Sequence, residues 1–168
     1  MKFLIFGGNG VLGNYLCNFI KKRYHVRIVT RRKKRGIYLK NYNLKNIQKI
    51  ISKEMPDVII NSIALTNVDK CEVKKKLAYY TNVTITKLIS NAVINLKYKK
   101  PFFIHISSDQ VYSGLGPHNE KTPKPINYYS KTKLLSEKFV NLKVGCVLRT
   151  NFLGYSKKPS DLNNWIID

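Results

Sequence analysis

The stretch Asn127-Tyr128-Tyr129-Ser130-Lys131-Thr132-Lys133 sets a tyrosine and a lysine four residues apart. On a helix, Tyr129 and Lys133 share one face, one turn from each other. A lysine ammonium beside a phenol favours the phenolate and draws the tyrosine pKa down. Such a tyrosine can give or take a proton at working pH. The spacing alone also arises by chance, because the chain holds 11 Tyr and 31 Lys plus Arg. Its meaning depends on the elements that would hold it in place.

Those elements begin at the N-terminus. Lys2-Phe3-Leu4-Ile5-Phe6 is a short apolar run of the kind a buried parallel strand shows. It leads directly into Gly7-Gly8-Asn9-Gly10-Val11-Leu12-Gly13, and Val11, Leu12, Tyr15, Leu16, Phe19 and Ile20 then recur at helical spacing. Gly7, Gly10 and Gly13 make a Gly-x-x-Gly-x-x-Gly turn between strand and helix. Backbone N–H groups at Gly10, Val11 and Leu12 can then approach a pyrophosphate with no Cβ in the way. A tight turn without a ligand would use the same glycines, but the strand before and the helix after favour dinucleotide binding.

His25-Val26-Arg27-Ile28-Val29-Thr30 alternates and reads as a second strand, running into Arg31, Arg32 and Lys33. A site selective for NAD usually has an acidic residue at that position, to accept from the ribose 2′-OH. A hydroxyl and cations suit a 2′-phosphate instead. NADP(H) is therefore favoured, NAD(H) stays open, and a plain basic loop is the competing reading.

The pattern then repeats. Gly36–Leu39 reads as a short edge strand, and Leu44, Ile47, Ile50 and Ile51 form a helical stripe that Met55-Pro56 ends. Asp57–Asn61 is a buried strand, Asp69–Leu96 is helical with a break near Thr81-Asn82, and Phe102–Ile106 is another buried strand. Ser113–Pro125, with two glycines and three prolines, is loop. A helix carries Tyr129 and Lys133 on to Leu142, and Val144–Leu148 is the last strand. Strands and helices in this alternation predict an α/β protein, a doubly wound parallel sheet of the Rossmann fold, with right-handed crossovers. Its domain would span 1–155, with 156–168 opening a further C-terminal region.

Composition narrows the function classes. The formal net charge is +22. Lysines are scattered and no nucleic-acid-binding motif accompanies them, so we read the charge as a solvated basic surface. Cys17, Cys71 and Cys146, and His25, His105 and His118, show no metal-ligand spacing, and no metal is expected. Cys17, Cys146 and His105 lie in apolar runs and read as core residues. The N-terminal apolar run is only about five residues, too short for an export signal or a membrane span. A cytoplasmic location without membrane contact is the default expectation.

Taken together, these segments resemble the extended short-chain dehydrogenase/reductase family, and within it the dTDP-4-dehydrorhamnose reductase-like, sugar-nucleotide-binding members. The resemblance spans nearly the whole chain. It rests on the glycine turn, on Asp57–Asn61 followed by Ala64, Thr66 and Val68-Asp69-Lys70-Cys71-Glu72, and on Asn82. It rests further on Ile106-Ser107-Ser108-Asp109-Gln110-Val111-Tyr112-Ser113-Gly114, on Glu120, Pro125 and Asn127 before Tyr129-x-x-x-Lys133, and on Arg149-Thr150. It implies hydride transfer from NADPH to a nucleotide-linked 4-keto-sugar. Tyr129 would donate the proton, Lys133 would lower the tyrosine pKa and hold the nicotinamide ribose, and Ser108 would fix the carbonyl oxygen. Ala64, Leu65 and Thr66 would line the cofactor, Asn41 would stand near its adenine, and Asp109 and Phe152 would face the sugar. A non-catalytic NADP-binding subunit and a nucleotide-sugar epimerase or dehydratase are the alternatives it carries, and a homodimer is compatible with it. Members of this family run to about twice a single domain, so the chain is expected to be their N-terminal Rossmann part.

Overall fold

The strands are β1 (Lys2–Phe6), β2 (His25–Thr30), β3 (Ile37–Tyr38), β4 (Val58–Asn61), β5 (Phe102–Ile106) and β6 (Gly145–Leu148). The helices are α1 (Val11–Ile20), α2 (Leu44–Glu54), α3 (Val68–Val73), α4 (Lys75–Tyr79), α5 (Ile85–Ile94) and α6 (Tyr128–Glu137). The computed structural model describes residues 1–32 and 35–151. All strand pairs are parallel, in one sheet of order β3-β2-β1-β4-β5-β6. This is the doubly wound Rossmann arrangement that the alternating pattern predicts.

The order of strands also decides where the helices lie. The step from β1 to β2 moves towards one edge, whereas the steps into β4, β5 and β6 move the other way. Right-handed crossovers then put α1 on one face and α2 to α6 on the other. Leu4, Ile59 and Phe103 are register partners across β1, β4 and β5. With Phe6 and Val29 they pack in one core with Ile47 and Ile51 of α2 and Ile85, Ile89, Ala92 and Val93 of α5.

Local signals explain most boundaries. Asn43 caps α2 by accepting from the Asn46 N–H at 2.8 Å. Met55 closes that helix in the left-handed conformation, φ 45°, and Pro56 follows. The predicted break near Thr81-Asn82 is a π-helical turn, Tyr80–Thr84, between α4 and α5. Two expectations shift. The helix bearing Tyr129 stops at Glu137 rather than Leu142, because Phe139 and Val140 turn back onto Ser136 and Glu137 in tighter bonds. Cys17 and Cys146 are only half-buried, and Cys71 is the fully buried cysteine. The reason is the same for Cys17 and Cys146: both lie towards the face that, among the described residues, carries only α1. Among the described residues no helix is long and apolar enough to cross a membrane. Nor do they include a cluster of His, Cys, Asp or Glu that could hold a metal ion.

Candidate functional site

Helix α6 begins on a capping box. The Asn127 side chain accepts from the Ser130 N–H at 2.8 Å, and the Ser130 hydroxyl accepts from the Asn127 N–H at 3.3 Å. Glu72 of α3 adds a second tie by accepting from the Tyr128 N–H at 2.6 Å. These contacts fix the rotation of the first turn. Tyr129 and Lys133 then face inward, and both are buried.

Ser108 meets them from the end of β5, where it caps a short 3-10 turn, Asp109–Val111. Its hydroxyl accepts from the Gln110 N–H at 3.2 Å and lies 3.3 Å from the Asp109 carboxylate. It also lies close enough to the Tyr129 phenol to draw its pKa down. The structure thus gathers Ser108, Tyr129 and Lys133, with Asp109 beside them, at the carboxyl ends of the strands, where open parallel sheets hold their ligands.

The electrostatics differ from the expectation drawn from spacing alone. Burial pushes the Tyr129 phenol above its ordinary value; Ser108 works against this, and Asp109 and Cys71 add to it. Lys133 does not lower it. The Lys133 ammonium donates to the Ile106 carbonyl at 2.6 Å. Burial brings Lys133 itself down to about 8, against an opposing effect from Glu137. A neutral buried phenol can donate a proton and a lysine poised near 8 can exchange one, so the pair is suited to acid–base work.

The glycine turn forms the other wall. Gly7 has φ +86°, and a Cβ there would come within 2.9 Å of the Ile63 nitrogen. At Gly13 a Cβ would lie 2.3 Å from the Gly7 carbonyl oxygen. These two glycines therefore let the turn close against β4. Gly10 is different: a Cβ would meet only the Gly7 carbonyl oxygen, at 3.3 Å, so the room beyond it is open. Gly10 is also the N-cap of α1 and offers no side-chain cap. The first N–H groups of that helix, at Val11 and Leu12, are available to an anion. Asn9, in the same turn, keeps a buried carboxamide oxygen without a hydrogen-bond partner. An open cradle and an uncapped helix end together fit a dinucleotide phosphate.

Ala64, Leu65 and Thr66 follow β4 on the same side of the sheet. Asn82, fully buried in the π-helical turn, holds this segment. Its Oδ1 accepts from the Leu65 N–H at 2.7 Å, and its Nδ2 donates to the Thr132 hydroxyl of α6 at 2.9 Å. Arg31 and Arg32 are exposed just past β2. Asn41 lies farther out, in a shallow depression with Tyr38, Lys40, Asn46 and Lys49.

Some contributors were read in the sequence only as parts of separate motifs, with nothing to link them. Glu137 accepts from Arg149 at 2.7 Å and from the Ser107 hydroxyl. Arg149 also donates to the Tyr112 hydroxyl at 2.6 Å and to the Glu120 carbonyl at 2.7 Å. This hub ties β6, α6 and the loop after Ser108 together. Its members are 37 positions apart at the widest of these contacts, and no local pattern links them. Ser130 was similarly silent as a sequence position, although a residue three after an Asn N-cap is where a capping-box partner belongs.

The family model described as the RmlD substrate binding domain matches residues 1–167. The chain belongs to this RmlD family. The spore coat polysaccharide biosynthesis protein SpsK of Bacillus subtilis is 31% identical over 160 residues, 90% of this chain and 53% of that protein. The crystal structure of a dTDP-4-dehydrorhamnose reductase from Clostridium acetobutylicum superposes with TM-score 0.81 at 29% identity, covering 99% of this chain and 58% of that one. The dTDP-4-dehydrorhamnose reductase of Bacillus anthracis, solved in complex with NADP, does so with TM-score 0.72 at 26% identity, over 88% and 52%. The chain thus spans about half the length of these relatives. Of the residues expected to face substrate in this RmlD-family chain, Phe152 lies outside the described residues, as do 156–168.

Proposed function

We propose that this protein binds NADP(H) and reduces the 4-keto group of a nucleotide-activated sugar, as a dTDP-4-dehydrorhamnose reductase-like enzyme. The observation that carries this reading is the convergence of Ser108, Tyr129 and Lys133 beside an uncapped, glycine-lined helix N-terminus on one edge of the sheet. Val11 and Leu12 hold the pyrophosphate on backbone N–H groups, and Gly10, whose own N–H donates to the Gly7 carbonyl at 2.9 Å, leaves the room for it. Ala64, Leu65 and Thr66 line the cofactor, and Arg31 and Arg32 face its 2′-phosphate. Bound NADPH supplies the hydride.

The chain's own groups do the rest. Ser108 positions the substrate carbonyl and stabilises the oxygen as charge grows on it. Tyr129, kept neutral by burial, gives its proton to that oxygen. Lys133 holds the nicotinamide ribose and resupplies the proton, a role that its pKa of about 8 suits. Asp109 and Phe152 stand on the sugar side.

Oxidation of NADPH, followed by absorbance with dTDP-4-dehydro-sugar as acceptor, tests this. Tyr129→Phe is expected to lower the rate by about 10²–10⁴-fold, the usual worth of a positioned proton donor, while calorimetry shows NADPH still bound. Unchanged turnover in Tyr129→Phe would sink the proposal.

A further inference from the structure

One helix grips the end of β5 twice. Lys133 and Glu137 lie one turn apart on α6. The Lys133 ammonium donates to the Ile106 carbonyl at 2.6 Å, and Glu137 Oε1 accepts from the hydroxyl of the next residue, Ser107. Ser108 comes directly after. Two successive positions of the chain are therefore tied to α6 just before the side chain that meets Tyr129, and Tyr129 stands on the same helix.

Glu137 is itself held in place. Its side chain is 10% exposed. Arg149 donates to it from Nε at 3.1 Å to each oxygen and from Nη2 at 2.7 Å to Oε2. A planar fork leaves a carboxylate little freedom to rotate. Arg149 follows β6 and is anchored on its other side by donating to the Tyr112 hydroxyl and the Glu120 carbonyl. Apolar side chains in place of such a pair often leave a fold as stable or more so, so stability alone does not account for its position beside Ser107. Glu137 also opposes the effect of burial on Lys133. The other titratable groups about Lys133 are Tyr129 on its own helix and His105 on β5, both kept neutral by burial. Asp109 of the 3-10 turn and Cys71 of α3 act on the Tyr129 phenol.

We propose that Glu137 is a positioning residue: locked by Arg149, it fixes Ser107, and so places the Ser108 hydroxyl against Tyr129 and keeps the Lys133 ammonium seated at the strand end. The inference rests on the reductase reading above and deepens it. It makes the geometry of the reacting groups depend on a carboxylate that touches neither substrate nor cofactor.

Two variants of the purified chain test this. Ser107→Ala removes one hydroxyl and leaves the Glu137–Arg149 pair whole. Its kcat with NADPH and dTDP-4-dehydro-sugar is expected to fall about tenfold, the worth of one hydrogen bond to a charged group, with KM for NADPH unchanged. Glu137→Gln keeps the shape and an acceptor for Ser107 but removes the charge. The basic limb of its kcat–pH profile, set by Lys133 at about 8 in the wild type, is expected to move to lower pH, because nothing then opposes burial. At pH 8 its affinity for NADPH, by calorimetry, should fall about tenfold, while 2′,5′-ADP, which lacks the nicotinamide ribose, binds as in the wild type. Unchanged kcat in Ser107→Ala, or an unmoved pH profile in folded Glu137→Gln, overturns this inference and leaves the reductase reading standing. Parallel losses for NADPH and 2′,5′-ADP overturn it too, since they mark a general loss of fold. Wild type that binds NADPH without turnover overturns the reductase reading, and the ratio of the two affinities in Glu137→Gln then decides this inference alone. Wild type that binds neither ligand overturns both.

Discussion

Phe102 and Phe103 are neighbours in β5, and their fates differ completely. Phe103 points to the face covered by α2 to α6 and is 1% exposed, whereas Phe102 points to the face that carries α1 and is 46% exposed. The contrast runs across the sheet. On the α1 face, Ile5, Ile60, Ile104 and Cys146 are partners in one register row. Ile5 and Ile60 are buried, and Ile104 and Cys146 are only half-buried. Burial therefore falls away from β1 towards β6. Both faces are written in the same apolar alphabet, so hydrophobicity of a strand tells where a layer could sit, and only the packing of helices tells where one does.

Three measurements probe this contrast. The largest effect is expected from deletion of matched side chains. Phe103→Ala should lower unfolding free energy by about 3–5 kcal/mol through lost burial and a residual cavity. Phe102→Ala should cost about 1 kcal/mol or less, since much of its ring already meets water. Urea unfolding of the two variants checks the ratio, and equal losses would mean that Phe102 is covered in solution.

The second effect is a pH dependence confined to the helix-covered face. His105 is buried there, 3.3 Å from the Asn61 amide and 2.8 Å from the Ser136 hydroxyl. Burial, and then Lys133, holds its imidazole well below the ordinary value. The folded state thus stays unprotonated where the unfolded chain takes up a proton. Stability is full above about pH 6.5 and is lost as pH falls below it, at about 1.4 kcal/mol per pH unit. Urea midpoints between pH 5 and 8 should show this slope in the wild type and not in His105→Asn.

The smallest effect belongs to the open face. Phe19 of α1 is 63% exposed. Phe19→Ser should change stability by no more than about 0.5 kcal/mol, yet reduce binding of an apolar fluorescent dye. A large loss of stability would show that Phe19 is packed against something.

Much of the site was legible in short stretches. The strand–glycine–helix unit announces itself because the turn needs Gly7 and Gly13 for local reasons, a positive φ and a backbone contact that leaves no room for a Cβ. The Tyr129–Lys133 pair is legible because helical spacing is local too. His105, read as a core residue rather than a catalyst, is fully buried. The helix stripe of α1 misled, since Val11, Tyr15 and Phe19 have the right period and still lie exposed. Periodicity reports a face, and a face is buried only if the sheet order brings another element over it.

By itself, then, the sequence determined the succession of strands and helices, the parallel sheet, the glycine turn and the shared face of Tyr129 and Lys133. Each of these follows from spacing within a few turns of chain. The tertiary structure alone decided the rest. It turned the Lys133 ammonium to the Ile106 carbonyl and left burial to raise the Tyr129 phenol. It joined Glu137 to Arg149, and Asn9 to Thr30, across 12 and 21 positions. It gave one sheet face a deep core and the other a single helix among the described residues. Desolvation and pairing depend on what is packed nearby in space, and no local pattern carries that information.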